Sequence, residues 1–317
     1  MREVKTIALT GATGFIGSHV LRCAIQQKYK VQALSRQSDP KTIDGADITW
    51  VNGSLGDNRA LRRLVEGVDC VVHCAGVIKS LSRLTLLSVN RDGTRALAEA
   101  AARERKGLRF VYLSSLAARE PRLSAYGASK RAGEQALYNL VKDLSPVVLR
   151  PPAVYGPGDV ETLVIFRMAA AGLVLIPAVA AARLSLVHVD DVAAAVVKSF
   201  QLTETSLKPV ELRDVCQEGY TWQDVAAAAG AAVGKSPKIV KLPNGLVWVA
   251  GLAGSFSGLL LRHPTMLNLG KVPEILHSDW VARGPGVPGW TPEWSIDNGF
   301  KDTVNWYCSQ NMLKSYL

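Results

Sequence analysis

Acidic side chains are in short supply: the 317 residues hold 27 Asp+Glu against 37 Lys+Arg, a net charge of +10 at pH 7. Such an excess favours anionic partners, among them phosphates, nucleotides, nucleic acid and an acidic membrane face. Cysteine is sparse too. Cys23, Cys70, Cys74, Cys216 and Cys308 are odd in number and form no C-x-x-C pair, and no histidines cluster at metal-ligand spacing. A disulfide framework and a structural zinc site are thereby excluded; no metal is expected, and the thiols read as reduced and mostly buried. The N-terminus offers only the short apolar run 6–10 before a glycine turn. A signal peptide needs a longer apolar core and a cleavage site, so the cytosol is the expected compartment. Repeats and low-complexity tracts are lacking, and 48% hydrophobic against 20% charged residues excludes disorder. The basic residues are scattered and no recognition motif is found, so nucleic-acid binding is not expected.

What is present is alternation. Short β-rich apolar runs at 6–10, 31–34, 48–51, 70–73, 110–113 and 147–149 are separated by Ala/Leu/Arg-rich helical patterns. That order argues an α/β fold with a doubly wound parallel sheet, and the Val-rich, non-alternating runs fit a sheet covered on both faces. The length suits one large or two modest domains. After Leu149 comes the Pro/Gly-dense loop 150–158, then a strand entering a helix over 183–191 and a further short strand at 209–212. The expected division is a dinucleotide-binding core over 1–155, continued by about 184–213, with a smaller, mixed substrate-binding region over 156–183 and 214–317.

The segment 242–261 carries no charge; Lys235, Lys238 and Lys241 precede it, and Arg262 and His263 follow. Its length alone allows a membrane span, but Pro243, Asn244, two serines and four glycines speak against one. A buried helix or substrate lid is the first reading and an interfacial membrane contact through 245–261 the second. Lid and interface both favour an apolar substrate.

Gly11, Gly14 and Gly17 form G-x-x-G-x-x-G between the first strand and a helix. A turn without Cβ atoms lets backbone N–H groups and the positive helix N-terminus approach a pyrophosphate, the signature of a Rossmann site. The second strand ends at Ser35-Arg36 without the acid that grips both ribose hydroxyls in NAD-selective sites. Arg36 can hold a 2′-phosphate by charge and forked hydrogen bonds, which favours NADP(H) with NAD(H) as alternative; a solvated surface arginine is the rival reading. Asp57 is placed either to accept from the adenine amino group or to cap the next helix.

Ser114 and Ser115 end the strand at 110–113, and Tyr126 and Lys130 follow four residues apart on one helix face. A cation beside a phenol favours the phenolate, so the tyrosine can exchange a proton with a carbonyl or carbinol oxygen near neutrality. A strand-end serine can hydrogen-bond the same oxygen, and alternation should put only one of the pair on the active face.

With these motifs the chain resembles the extended short-chain dehydrogenase/reductase family over about residues 5–200. The elements that carry the resemblance are 10–17, 72–76, 90–94, Ser114-Ser115, 126–130, 150–158 and 186–191. It implies Tyr126 as general acid/base, Lys130 as its pKa-lowering partner and ribose ligand, Ser115 as carbonyl orienter with Ser114 as alternative, and Asn90 as support for the lysine and a relay water. It further implies cofactor contacts from Gly11, Thr13, Gly14, Phe15, Ile16, Gly17, Arg36, Asp57, Ala75, Gly76, Lys130, Pro151 and Val154. His73 and His188 are expected to be hydrogen-bonded structural histidines, and Tyr155 to pack beside the nicotinamide. Sugar-nucleotide epimerases carry a longer insertion before the tyrosine and an arginine where Leu184 stands here. The short insert resembles the complex I accessory-subunit and lipid ketone reductase branches. The expected activity is an NADP(H)-dependent interconversion of a ketone and a secondary alcohol on a small, lipid-like molecule. An NDP-sugar epimerase/dehydratase and a non-catalytic nucleotide-binding subunit are the alternatives, and the resemblance leaves a homodimer open.

Overall fold

The computed structural model describes residues 4–38, 40, 46–202, 208–262, 265 and 267–314. In chain order its elements begin β1 (Thr6–Thr10), α1 (Phe15–Gln26), β2 (Lys30–Ser35), β3 (Ile48–Asn52), α2 (Asn58–Val65), β4 (Cys70–His73) and α3 (Arg83–Leu87). There follow α4 (Thr94–Glu104), β5 (Leu108–Leu113), α5 (Ala125–Tyr138), β6 (Leu144–Arg150), β7 (Ala153–Tyr155), α6 (Leu163–Ala170) and β8 (Leu173–Pro177). The remainder is β9 (Arg183–Leu184), β10 (Leu186–His188), α7 (Val189–Lys198), β11 (Val210–Glu211), α8 (Trp222–Ala232), β12 (Lys238–Leu242), α9 (Asn244–Leu260), α10 (Val272–Ile275), β13 (Asp279–Trp280) and α11 (Ile296–Ser309).

The chain forms two compact units, one from Met1–Arg150, Val192–Glu211 and Gly284–Trp290, the other from Pro151–Asp191, Leu212–Arg283 and Thr291–Leu317. Residues 184–191, which the strand pattern attaches to the core, group with the second unit, and 284–290 with the first.

The first unit is the doubly wound sheet, with strand order β11-β6-β5-β4-β1-β2-β3 and parallel pairing throughout. β4 and β5 are buried at every position, because helices cover both faces and leave no edge for polar alternation. Ala8, Val71 and Phe110 from the sheet pack with Leu61 and Leu64 of α2 and Leu97 of α4. The strand order reverses between β1 and β4, which are in register at Leu9↔Val72 and Thr10↔His73. In such sheets the ligand crevice opens beyond the carboxyl ends of the strands at that switch point.

The second unit holds three two-stranded sheets, β7–β10, β8–β12 and β9–β13. Its core sets aromatic rings among aliphatic side chains: Phe300 of α11 meets Tyr155 and Phe166 edge-on, each at 4.9 Å between ring centroids.

Two expectations change. All five cysteines are free, but only Cys70 is buried; the others sit half-buried at element ends and loops. No helix among the described residues is long and apolar enough to cross a membrane, which agrees with the reading of 242–261 against a span. Nor is that segment a buried helix: α9 buries only Val247, Gly251 and Gly258, because its inward positions are small and its large apolar side chains point out. His263 lies outside the described residues.

Candidate active site

The glycine turn joins β1 to α1 with a geometry that side chains would block. Gly11 has φ +78°, and a Cβ there would come within 2.7 Å of the Ala75 nitrogen beyond β4. A Cβ on Gly17, in the first turn of α1, would lie 1.9 Å from the Gly11 carbonyl oxygen. Gly14 stands at the N-cap, its N–H donating to the Gly11 carbonyl at 2.9 Å, and has no side chain to cap the helix. Thr13 is exposed, while Phe15 and Ile16 are half-buried where the helix begins. A Cβ-free cradle at the switch point, under an uncapped helix N-terminus, fits a dinucleotide pyrophosphate.

Arg36 follows β2 and is exposed, as is Gln37 beside it. Asp57 is the N-cap of α2: its Oδ1 accepts from the N–H groups of Arg59 at 2.9 Å and Ala60 at 3.1 Å, which hold the carboxyl below its usual range. The capping reading of Asp57 is therefore realised, and it leaves Oδ2 outside those two bonds.

The Tyr-Lys pair lies in the first turns of α5, which Ser124 caps by accepting the Gly127 N–H at 2.9 Å. Tyr126 is half-buried and Lys130 buried. Lys130 Nζ donates to the Leu113 carbonyl at 2.7 Å and stands 4.6 Å from the Tyr112 ring centroid. Burial pushes its pKa down to about 8, against the opposing pull of the Glu134 carboxylate. Gly76 keeps the space beside it open, since a Cβ there would sit 3.6 Å from Nζ and 3.1 Å from Asn90 Oδ1.

Asn90 lies in a stretch of widened, π-type turns over Ser88–Gly93, a local irregularity that often marks functional sites. Its side chain is fully engaged. Oδ1 accepts from the Val77 N–H at 2.9 Å, and Nδ2 donates to the Val77 carbonyl at 2.8 Å and to Ser129 Oγ at 2.9 Å. Ser129 Oγ in turn donates to the Tyr126 carbonyl at 2.7 Å. Asn90 thus fastens the loop after β4 to the helix that carries Tyr126.

The two serines part company as strand alternation requires. Ser114 is buried and donates to Glu134 Oε1 at 2.6 Å, while Glu134 takes two bonds from the Arg150 guanidinium at 2.8 and 2.6 Å. Ser115 is half-buried and caps a single turn, accepting from the Ala117 N–H at 3.2 Å.

His73 is wholly buried between Thr10 Oγ1 at 2.7 Å and Thr94 Oγ1 at 3.0 Å, and burial drives its pKa down to about 3. It is a neutral, hydrogen-bonded histidine. His188, in the second unit, is buried against the Trp294 ring at 4.1 Å between centroids and meets Tyr155 edge-on. Tyr155 is buried in the aromatic core, which pushes its pKa up. Pro151 and Val154 open the second unit, Val154 within β7.

Glu134, Arg150, Ser129 and Tyr112 have no role of their own in the sequence reading, although Ser129 and Arg150 fall in the stretches 126–130 and 150–158. Glu134 follows Lys130 by four residues, a spacing that puts both on one helix face. Its buried partner Arg150, however, comes from the sheet and is invisible to local patterning.

A family model described as "NAD dependent epimerase/dehydratase family" matches residues 7–211. The chain is 41% identical over 304 residues to a protein of Caulobacter vibrioides named ceramide reductase, covering 95% of this chain and 94% of that one. It is 31% identical over 184 residues to sterol demethylase protein B of Methylococcus capsulatus, covering 51% and 55% of the two chains. Among solved structures, gox2253 superposes with a TM-score of 0.77 at 21% identity, over 98% of this chain and 100% of that one, which speaks for the fold. With the glycine cradle, the seven-stranded parallel sheet and the matched span, the chain belongs to the NAD-dependent epimerase/dehydratase family.

Proposed function

We propose that the protein is an NADP(H)-dependent oxidoreductase that interconverts a ketone and a secondary alcohol on a lipid-like, ceramide-type substrate. The observation that carries the reading is the fixed ammonium of Lys130, buried one helical turn from Tyr126 and anchored on the Leu113 carbonyl at 2.7 Å. The relative named ceramide reductase, similar over nearly the whole length, supports the substrate class.

In reduction, the Tyr126 hydroxyl gives its proton to the carbonyl oxygen, and in oxidation the phenolate takes one from the carbinol. Below about pH 8 Lys130 is protonated, and its charge stabilises that phenolate. Ser115 donates to the same oxygen and orients it; Ser114, committed to Glu134, does not take part. Asn90 is a positioning residue that acts through Ser129 and the Tyr126 backbone. The bound nicotinamide supplies or accepts the hydride. Its dinucleotide would be held by the turn from Gly11 to Gly17, with Thr13, Phe15 and Ile16 offering backbone N–H groups, by Ala75 and Gly76 after β4, and by Lys130 at the ribose. Asp57 Oδ2 accepts from the adenine.

Arg36 holds the 2′-phosphate. Its change to Ala is expected to weaken NADPH by about 10- to 100-fold, the loss of one charge-assisted contact at roughly 1.5–3 kcal/mol, and to leave NADH nearly unaffected. Equal loss for both cofactors in fluorescence titrations would remove the assignment.

The function itself is tested by offering NADPH with lipid ketones and, in parallel, NAD with UDP-sugars. Net NADPH consumption on the ketone alone is the expected result. Redox-neutral turnover of a UDP-sugar would make the protein an epimerase, and inertness toward both would leave a nucleotide-binding subunit.

A further inference from the structure

Helix α9 is built inside out. Its inward stripe, Val247, Gly251, Gly254 and Gly258, recurs every three or four residues and consists almost wholly of glycine. The stripe is seated closely: a Cβ on Gly251 would come within 2.4 Å of Val272 Cγ2, and one on Gly254 within 1.8 Å of the Leu267 carbonyl. Hydrogen bonds fix this orientation, with Thr265 Oγ1 donating to the Gly254 carbonyl at 2.9 Å and the Leu269 N–H to Ser255 Oγ at 2.9 Å. The large apolar side chains consequently face away from the unit. Leu246, Trp248, Val249, Leu252, Phe256, Leu259 and Leu260 are all exposed, Phe256 at 68% and Leu260 at 73%. A water-facing helix distributes its residues the other way round, and a contiguous apolar patch of this kind marks an interaction surface.

The charge around the helix says which surface it fits. From Val225 to Pro273 there is no Asp or Glu, whereas Lys235, Lys238, Lys241, Arg262 and Lys271 fall in that span. Lys238 and Lys241 lie on β12, which leads straight into α9, and Arg262 closes its C-terminal end; all three are exposed. A second copy of the chain docked on this face would set cations against cations. An anionic lipid surface meets both features at once, taking the apolar side chains into its acyl boundary and the cations among its headgroups.

We propose that α9 lies in the plane of an anionic membrane, with Leu252, Phe256, Leu259 and Leu260 inserted and Lys238, Lys241 and Arg262 on the headgroups. The proposal rests on the lipid-substrate reading for its purpose, since the bilayer is where such a ketone resides.

The test is co-sedimentation with vesicles of phosphatidylglycerol and phosphatidylcholine, and of phosphatidylcholine alone, at low and high salt and without cofactor or substrate. Two triple variants are compared with the wild type: Leu252→Gln with Phe256→Gln and Leu260→Gln, and Lys238→Gln with Lys241→Gln and Arg262→Gln. Both are first shown to keep the wild-type circular dichroism and thermal midpoint. The wild type is expected to prefer anionic vesicles by about tenfold or more, a preference that high salt and the charge variant abolish, and the apolar variant is expected to bind neither vesicle type. Absence of wild-type binding, equal binding by the apolar variant, or a wild-type dimer that the apolar variant dissolves without any vesicle binding would each overturn the proposal. A protein that reduces no ketone yet binds anionic vesicles through α9 would support it and overturn only the substrate reading.

Discussion

Changing Tyr126 to Phe is expected to lower turnover by about two to four orders of magnitude while NADPH affinity and thermal stability stay near wild type. The substitution keeps the ring and removes one oxygen. Tyr126 is half-buried at the start of α5, and the hydrogen bond that fastens its residue to Ser129 uses the backbone carbonyl, which phenylalanine retains. The architecture that holds the site, from Val77 through Asn90 and Ser129, reaches Tyr126 through its backbone and is therefore kept. Single-turnover reduction in the variant isolates the chemical step. If the rate fell less than tenfold, another acid would be serving the carbonyl oxygen.

Changing Gly17 to Ala should act on binding rather than chemistry. The new methyl group would fall 1.9 Å from the Gly11 carbonyl oxygen and 2.6 Å from its carbon, and both are backbone atoms that no rotamer change can move aside. The turn must shift. Displacing it removes one or two charge-assisted hydrogen bonds to the pyrophosphate at roughly 1.5–3 kcal/mol each, so NADPH affinity is expected to fall by about 100-fold or more. The overpacked turn should also lower the thermal midpoint, because strain of this kind costs about 1–3 kcal/mol. Gly245→Ala is the comparison, since a Cβ at Gly245 meets nothing within 4 Å. Fluorescence titration and thermal unfolding of the two variants should separate them clearly. Unaltered NADPH binding in Gly17→Ala would mean that the turn does not hold the dinucleotide.

Legibility followed the range of the interactions. β1 and β4 were readable to the residue, because buried parallel strands are continuous apolar runs ending in Gly or polar turns. The glycine turn and the Tyr-Lys spacing are equally local, each a matter of residues one turn apart. Strand alternation requires that one of Ser114 and Ser115 face away, and the resemblance favours Ser115; the bond that occupies Ser114 comes from Glu134 and Arg150, brought together from α5 and the end of β6 and legible in neither segment. The pairing of β8 with β12 joins residues 173–177 to 238–242 and leaves no trace in either segment. Helix α9 misled for a different reason. Uninterrupted apolar sequence says nothing of which side is inward, and here the glycines decide it by permitting an approach that Leu or Phe would forbid.

The central claim is net hydride transfer between NADP(H) and a ketone carbon. NADPH carrying deuterium at the transferable C4 position, incubated with a ceramide-type ketone and the protein, tests it most directly. Mass spectrometry of the product should find one deuterium on the new carbinol carbon per NADPH consumed, and no label with Tyr126→Phe on the same time scale. Product without deuterium, or NADPH consumed without product, would contradict the account.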